Sequence, residues 1–301
     1  MTETPKDLTD RPAMSGHATD LLSLVLGQIR LTGDRVHSRV LAPHSRLDLP
    51  AEAPHLCVVT DGELRIEGGE EGAIVVASGD LVMLPRGAGE LQLNAWQVPS
   101  SVVLCGFRFD TDSLRDMMQA LPRYIHIQRA EGAGWLDGIV HFLLIEASDV
   151  QPGAALMVSR LIDLAVIRTL RSWIHRGPIV GWFGGLTDAR IANALKAIHE
   201  RPMQRWSIEA LASLAGMSRS SFCERFVALV GRSPLRYHNE FRLTLARDLL
   251  AKRSARVGEV GLSIGYESEA AFSRAYKSLF GHSPREEYGS RAAAEGQSQG
   301  E

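Results

Sequence analysis

Cysteine is scarce in this 301-residue chain. Cys57, Cys105 and Cys223 have no metal-site spacing, and three thiols cannot all pair. That excludes a disulfide-stapled scaffold and suits a reducing compartment, so a cytoplasmic protein is expected. No His-x-His occurs anywhere, and with it a common nucleus of open-sided metal sites is missing. No apolar run is long enough to span a bilayer, and Met1–Pro12 is polar and charged, unlike a leader peptide. A large net charge is also lacking: 33 Lys/Arg stand against 35 Asp/Glu, a formal −2. The balance is uneven along the chain. Residues 187–291 hold 17 Lys/Arg and 11 Asp/Glu, whereas residues 1–186 hold 16 and 22. A basic end on a near-neutral chain points to a polyanion as the partner of that end.

What the sequence does have is a repeat. Ser218, Phe222, Phe226, Gly231 and Ser233-Pro234 recur 50 residues later as Ser268, Phe272, Tyr276, Gly281 and Ser283-Pro284. In the first copy Ser207 can cap a helix that places Ile208, Leu211, Ala212, Leu214 and Ala215 on one side. Gly216 then supplies a tight turn, and Ser218 caps a second helix whose Phe222, Phe226 and Val230 face the core. The second copy follows the same plan. Val257, Val260, Leu262 and Ile264 supply the first helix, Gly265 the turn, and Ser268 the cap of a helix buried through Phe272, Tyr276 and Leu279. Two short helices joined by a Gly-containing turn form the unit that lays its second helix in a DNA major groove. Between the copies, Pro234 opens a long amphipathic helix with Tyr237, Phe241, Leu245 and Leu249 at four-residue spacing. A stiff helix there would fix the separation of two readers, and one duplex turn is roughly 34 Å.

Side chains off the aromatic stripe are the candidate contacts. For base edges these are Arg219, Ser220 and Glu224 in the first copy and Glu269, Ser273 and Arg274 in the second. Arg274 leads, because a guanidinium can bond guanine O6 and N7 together. Arg232, Lys252, Arg253 and Lys277 are the candidate phosphate contacts, which position without reading sequence. The competing interpretation is an ordinary helical bundle with solvated surface charges. Duplication of cap, turn and Gly-x-Ser-Pro in register argues against coincidence.

These residues resemble a known family. Leu211-Ala212, Ala215 to Ser220, Phe222 and Phe226, with Ile264 to Ser268, Phe272 to Arg274, Phe280-Gly281 and Ser283-Pro284, are similar to the DNA-binding domain of AraC/XylS-type bacterial transcription regulators. The resemblance implies seven helices starting near Asp188 and a double-stranded operator as partner, with RNA polymerase left open as a further one. Val260-Gly261 departs from the family's usual Ile-Ala pair, and the glycine weakens its helix by about 1 kcal/mol against Ala.

The N-terminal half has a different texture. Asp20–Gly27 reads as a short capped helix. From Ile29 to Phe109 short apolar runs alternate with turn signals every eight to twelve residues, which predicts an antiparallel sandwich or small barrel. Asp61-Gly62 is a hairpin signal. The run Gly79-Asp80 through Pro85-Arg86-Gly87, with Cys105–Asp110 and Leu121-Pro122, resembles the cupin-type sensor domain carried by some AraC-type regulators. That implies an unidentified small-molecule effector, with the barrel interior as its pocket. His37, His44, His55 and Glu90 are the residues left to converge on a metal; none is assigned, and no cofactor is expected.

Beyond Phe109, helices are expected at Asp112–Ala120, Trp135–Ala147 and Ala154–His175, with a strand-like run at Tyr124–Ile127. The helix from Ala154 is apolar around most of its circumference, which predicts burial on nearly all sides. Packing against its neighbour within the subunit would satisfy that; the family resemblance implies instead that the pair forms a homodimer interface. The expected organisation is α+β: a cupin-like domain with its helical pair (20–178), a linker (179–187), an all-α domain of two helix-turn-helix units (188–288) and disordered ends, including 289–301. The expected function is a sequence-specific, effector-responsive transcription regulator without enzymatic activity or membrane attachment. A metal-dependent cupin enzyme with a DNA-binding tail and a non-specific architectural DNA binder are the alternatives.

Overall fold

Alternation in the N-terminal half becomes two packed sheets. In a computed structural model of the chain, residues 20–28, 31–68, 72–109, 121–148, 151–176, 181–250 and 256–286 are described. The helix expected at Asp112–Ala120, the terminal segments, Lys252 and Arg253 lie outside these residues. Eight described strands form the sandwich: β1 (Leu31–Leu41), β2 (His55–Asp61), β3 (Glu63–Glu67), β4 (Ile74–Ala77), β5 (Leu81–Leu84), β6 (Gln92–Ala95), β7 (Ser100–Phe109) and β8 (Ile125–Ile127). The larger sheet has the order β1-β7-β2-β5-β8 and the smaller β4-β3-β6, with every pairing antiparallel.

The central strands β2, β5 and β7 are apolar on both faces because both faces are covered. Cys57, Val59, Val82, Leu84, Val102 and Leu104 point to the smaller sheet and fill the space between the sheets with Leu64, Ile66 and Leu93. Their neighbours Leu56, Val58, Leu81, Met83, Val103 and Cys105 point the other way, to the helices. Successive residues of a strand face opposite sides, so Cys57 and Cys105 sit on opposite faces of one sheet and cannot pair. Burial pushes each thiol up to about 12, which makes them inert core residues. The interior expected to hold an effector is lined by buried apolar side chains.

One turn differs from expectation. Asp61-Gly62 does not close a hairpin, because β2 pairs with β5 and β7 while β3 pairs with β4 and β6. The dipeptide carries the chain from one sheet to the other.

Eleven described helices follow the strands or flank them. On the sandwich lie α1 (Leu21–Gln28), α2 (Arg129–Gly132), α3 (Leu136–Ser148) and α4 (Ala154–Ile174). α5 (Trp182–Gly185) lies in the segment expected as a linker, and the reader comprises α6 (Ala189–Glu200), α7 (Ile208–Leu214), α8 (Arg219–Val230), α9 (Pro234–Leu250), α10 (Val257–Ser263) and α11 (Glu269–Phe280). The expected burial of α4 on nearly all sides is corrected. Val158, Ile162, Val166 and Leu170 are buried, but Leu156 (61% exposed), Met157 and Leu164 are open, as are Phe142 and Ile145 of α3. High apolar content cannot tell a buried helix from one with an uncovered face.

The helical core is continuous from the sandwich into the reader. One cluster of buried side chains runs from α1, the large sheet, α3 and α4 through Trp182 and Phe183 to Ile191, Leu211, Phe222, Phe226 and Phe241. The segment expected as a linker therefore contributes buried aromatics, with Phe183 edge-on to Trp173 of α4. The second unit has its own small core of Leu243, Ala246, Leu250, Val260, Ile264, Phe272 and Tyr276.

Candidate nucleic-acid interface

Both units are built as short helix, turn, capped helix. Ser207 accepts from Ala210 N–H to start α7, Ser218 from Ser221 N–H to start α8, and Ser268 from Ala271 N–H to start α11. Each hydroxyl satisfies an N–H that a helix start leaves without a partner. The turns contain Gly216 and Gly265, with φ of 61° and 88°, in the region that favours glycine. Gly231 and Gly281 close α8 and α11 in the same left-handed conformation.

The copies are not identical. From the caps onward the offset is 50 residues, but α7 and α10 are offset by 49. Glu267 is the extra residue, so the second turn is one residue longer. Two inward assignments also fail: Leu214 and Leu262 are exposed, Leu262 by 62%. Each sits at the outer edge of a helix of seven residues, where the inner stripe is narrow enough for two or three side chains to fill it. Gly261 turns out to be more than a weak helix former: a Cβ there would lie 3.0 Å from Phe272 Cβ, so its absence lets α10 approach α11.

On α8, Phe222, Phe226 and Val230 are buried, and Arg219, Ser220 and Glu224 are exposed on the other side. Arg219 pairs with Glu209 of α7 at 3.0 Å. On α11, Phe272 and Tyr276 are buried, Arg274 and Lys277 are exposed and Ser273 is half-buried. Glu269 pairs with Arg285 at 3.1 Å, and at the first turn of α11 its charge also suits the helix dipole. Arg232 shares Glu240 with Arg236. The guanidinium of Arg274 and the ammonium of Lys277 carry no ion pair with a described residue.

Three buried or half-buried polar groups align these elements; the sequence marked Asp188 as the start of the first of them but did not single out Arg242 or His199. Asp188 caps α6 through Arg190 N–H and also takes Arg225 Nε of α8 at 2.9 Å. Burial opposes its charge, but the bonds from Arg225 and Arg190 prevail and hold the carboxyl below its usual range. Arg242 of α9 donates to Ile264 O at 3.1 Å and to Asn239 Oδ1, which also accepts from Tyr266. That contact seats the second turn on the long helix. His199 of α6 lies within the aromatic stack of Trp182, Phe241 and Tyr237, with Nε2 2.7 Å from Tyr237 Oη. Burial takes its pKa down to about 3. An Arg or His inside an amphipathic repeat reads as a solvated face, so only the folded contacts reveal these roles.

Each of the four candidate metal residues has its own surroundings. His55 bonds Ala53 O through Nδ1, His44 stands edge-on to Trp96, Glu90 pairs with Arg123, and His37 is exposed on β1. Among the described residues no three metal-ligating side chains converge. No described helix is long and apolar enough to cross a membrane.

Comparison with known proteins matches this geometry. A cupin family model matches residues 20–91 and 88–175, and a helix-turn-helix domain model matches 211–288. The chain belongs to the AraC-type transcription regulators. It is 35% identical over 173 residues, 56% of each chain, to the HTH-type transcriptional regulator AlkR of Acinetobacter baylyi. It is 29% identical over 256 residues to the HTH-type transcriptional regulator MtrA of Neisseria gonorrhoeae, 76% of this chain and 83% of that one. Matches to the first curated relatives span under two thirds of their length, 56% of AlkR and 60% of a Streptomyces antibioticus AraC-like regulator. Among solved structures, the DNA-binding domain of AdpA in complex with a target DNA is 29% identical, with 35% of this chain and 96% of that one covered and a TM-score of 0.33.

Proposed function

We propose that the chain is a sequence-specific DNA-binding transcription regulator that reads an operator through α8 and α11 and answers to an effector bound on its cupin side. The observation that carries this reading is the pair of capped helices whose aromatic stripes are buried and whose opposite faces are left polar and open. The domains are 20–178, a short connection at 179–187, and 188–288. Arg274 is the principal base contact, since its guanidinium is exposed and unengaged by described residues. Ser273, Ser220, Glu224, Arg219 and Glu269 complete the base-facing set. Arg219 and Glu269 must first exchange intramolecular partners, which lowers their net contribution. Lys277 and Arg232 contact phosphate, with Arg232 the weaker because Glu240 already neutralises it; Lys252 and Arg253 belong to the same set. The protein acts in the cytoplasm and without catalysis.

The open side chains of α3 and α4 support a homodimer. Phe142, Ile145, Leu156, Met157 and Leu164 are a large apolar complement for a monomer to leave in water. Sedimentation of the wild type and of Leu156→Glu checks this, with dimer expected for the first and monomer for the second.

The deciding experiment is to select genomic fragments on the protein and footprint the retained sequence. Arg274→Ala should lose about 1–3 kcal/mol of affinity and relax discrimination at one base pair. A footprint indifferent to sequence would instead favour an architectural binder. Stoichiometric metal in the purified protein would favour the enzyme reading.

A further inference from the structure

A half-open cleft lies outside the sandwich core, between α1, the start of β1 and the outer side of α4, with a volume of about 560 Å³. That is within the size range of small-molecule sites. Its walls are apolar: Leu22 and Leu26 from α1, Leu31 from β1 and Ile167 from α4. Its charges are two arginines, Arg160 and Arg171, and two carboxylates, Asp20 and Asp163.

Counting donors and acceptors shows which charge is spent. Asp163 accepts from Gly33 N–H and from Arg160 Nη1, both at 2.9 Å. Asp20 accepts from Ser23 N–H at 2.9 Å and from Ser23 Oγ at 2.8 Å, which caps α1. All four carboxylate oxygens are therefore engaged in holding the walls. Arg160 commits one nitrogen to Asp163; Arg171 lies near enough to Asp20 to favour its charge but makes no side-chain hydrogen bond to a described residue. The cleft has cationic N–H donors to spare and apolar walls beneath them.

We propose that this cleft is the effector site and that it takes an organic carboxylate with an apolar body, the carboxylate bridging Arg160 and Arg171 and the body lying on Leu22, Leu26 and Ile167. The inference rests on the effector-responsive reading above and moves the site away from the barrel interior, whose described buried side chains are apolar and offer a carboxylate no partner. Planar guanidinium groups suit a carboxylate bidentately.

The position also supplies a route to the reader. The β1–α4 wall is locked, because a Cβ on Gly33 would sit 2.6 Å from Ile162 Cβ and Ser159 O, so strand and helix touch backbone to side chain. The opposite wall, α1, packs against α6, the helix that opens the DNA-binding domain, and Leu21 and Val25 belong to the core they share. A ligand that draws α1 toward α4 acts directly on the base of the first unit. Occupancy shifts the reader only through a difference in affinity between two placements of α1.

The test uses the full chain and calorimetric titration with octanoate and benzoate, and with 1-octanol as the uncharged control. At least one of the two carboxylates should bind with saturation, and octanol about tenfold more weakly or not at all. Arg160→Gln/Arg171→Gln should weaken the carboxylate about tenfold or more, Arg171→Lys should restore part of the loss, and Ile167→Trp, which fills the cleft, should abolish binding. Circular dichroism melting checks that each variant is folded. Equal binding by wild type and the double variant, or no saturable binding of either carboxylate, overturns the proposal. Selection of genomic fragments without ligand separates the two readings. Sequence-selective retention with failed carboxylate binding sinks the cleft alone. Carboxylate binding lost on Arg160→Gln/Arg171→Gln, with no sequence selectivity on DNA, sinks the regulator reading and leaves the cleft as a ligand site.

Discussion

The two helix-turn-helix units share a plan and differ in what they rest on. The first is continuous with the sensor side: Phe222 and Phe226 belong to the core that includes Trp182, Phe183 and the sandwich helices. It is also pinned by Arg225 on Asp188 and by Gly181 N–H on Leu229 O. The second closes a separate core of seven buried residues and is seated on α9 through Arg242. Local sequence can be duplicated while its thermodynamic context is not. A change on the sandwich side therefore reaches α8 through packed side chains, and α11 mainly through the long helix, with the exposed Arg205–Glu267 pair as a further link.

The sharpest way to break this comparison is to hollow each core. Phe272→Ala should cost about 3–5 kcal/mol, confined to the second unit. Hydrogen exchange should then rise in α10 and α11 while α8 stays protected. Phe222→Ala, of similar cost, should lower protection in α6 and α8 together and depress the melting temperature of the sensor side. Equal, chain-wide loss from both would show one cooperative unit rather than two.

Acid should act on the first unit. His199 in the fold resists protonation down to about 3, whereas the unfolded chain takes up the proton near the ordinary imidazole value of about 6.5. The unfolded state binds more protons within that window, so stability falls as pH drops from about 6.5 toward 3, by on the order of 1 kcal/mol per unit. Denaturant titrations at several pH values check this. His199→Phe should flatten the dependence, and exchange in α11 should respond least.

Smaller effects distinguish the exposed faces. Arg274→Ala should weaken operator binding by about 1–3 kcal/mol, and Arg219→Ala by less, because wild-type Arg219 must first leave Glu209. A larger loss from Arg219→Ala would reverse the ranking of the two helices. The caps set the lower limit: Ser218→Ala and Ser268→Ala should each destabilise by about 1 kcal/mol, visible as fraying of α8 or α11 by exchange.

Much of this was readable in advance wherever the cause is local. Ser207, Ser218 and Ser268 cap because a hydroxyl reaches an N–H three residues on, and Gly216 and Gly265 turn because φ is positive there. The strand positions from His55 to Phe109 follow apolar runs and turns. Errors cluster where partners are distant in sequence. Asp61-Gly62 has hairpin composition, but the pairing of β2 with β5 and β7 makes it a crossing between sheets. Leu214, Leu262 and the open side of α4 read as core because hydrophobicity records a preference for burial and not the presence of a neighbour. Arg225, Arg242 and His199 gave no signal, since their partners lie 22 to 38 residues away.

The order of residues by itself determined where helices start and stop, which stripe of each is apolar, and that one unit occurs twice. Those outcomes depend on backbone and side-chain groups within a turn of one another. Tertiary structure alone decided that β2, β5 and β7 are covered on both faces, that a cleft opens beside α1, and that the first unit shares a core with the sandwich helices while the second does not. Such outcomes depend on which surfaces meet, and burial energy is indifferent to the sequence distance between them.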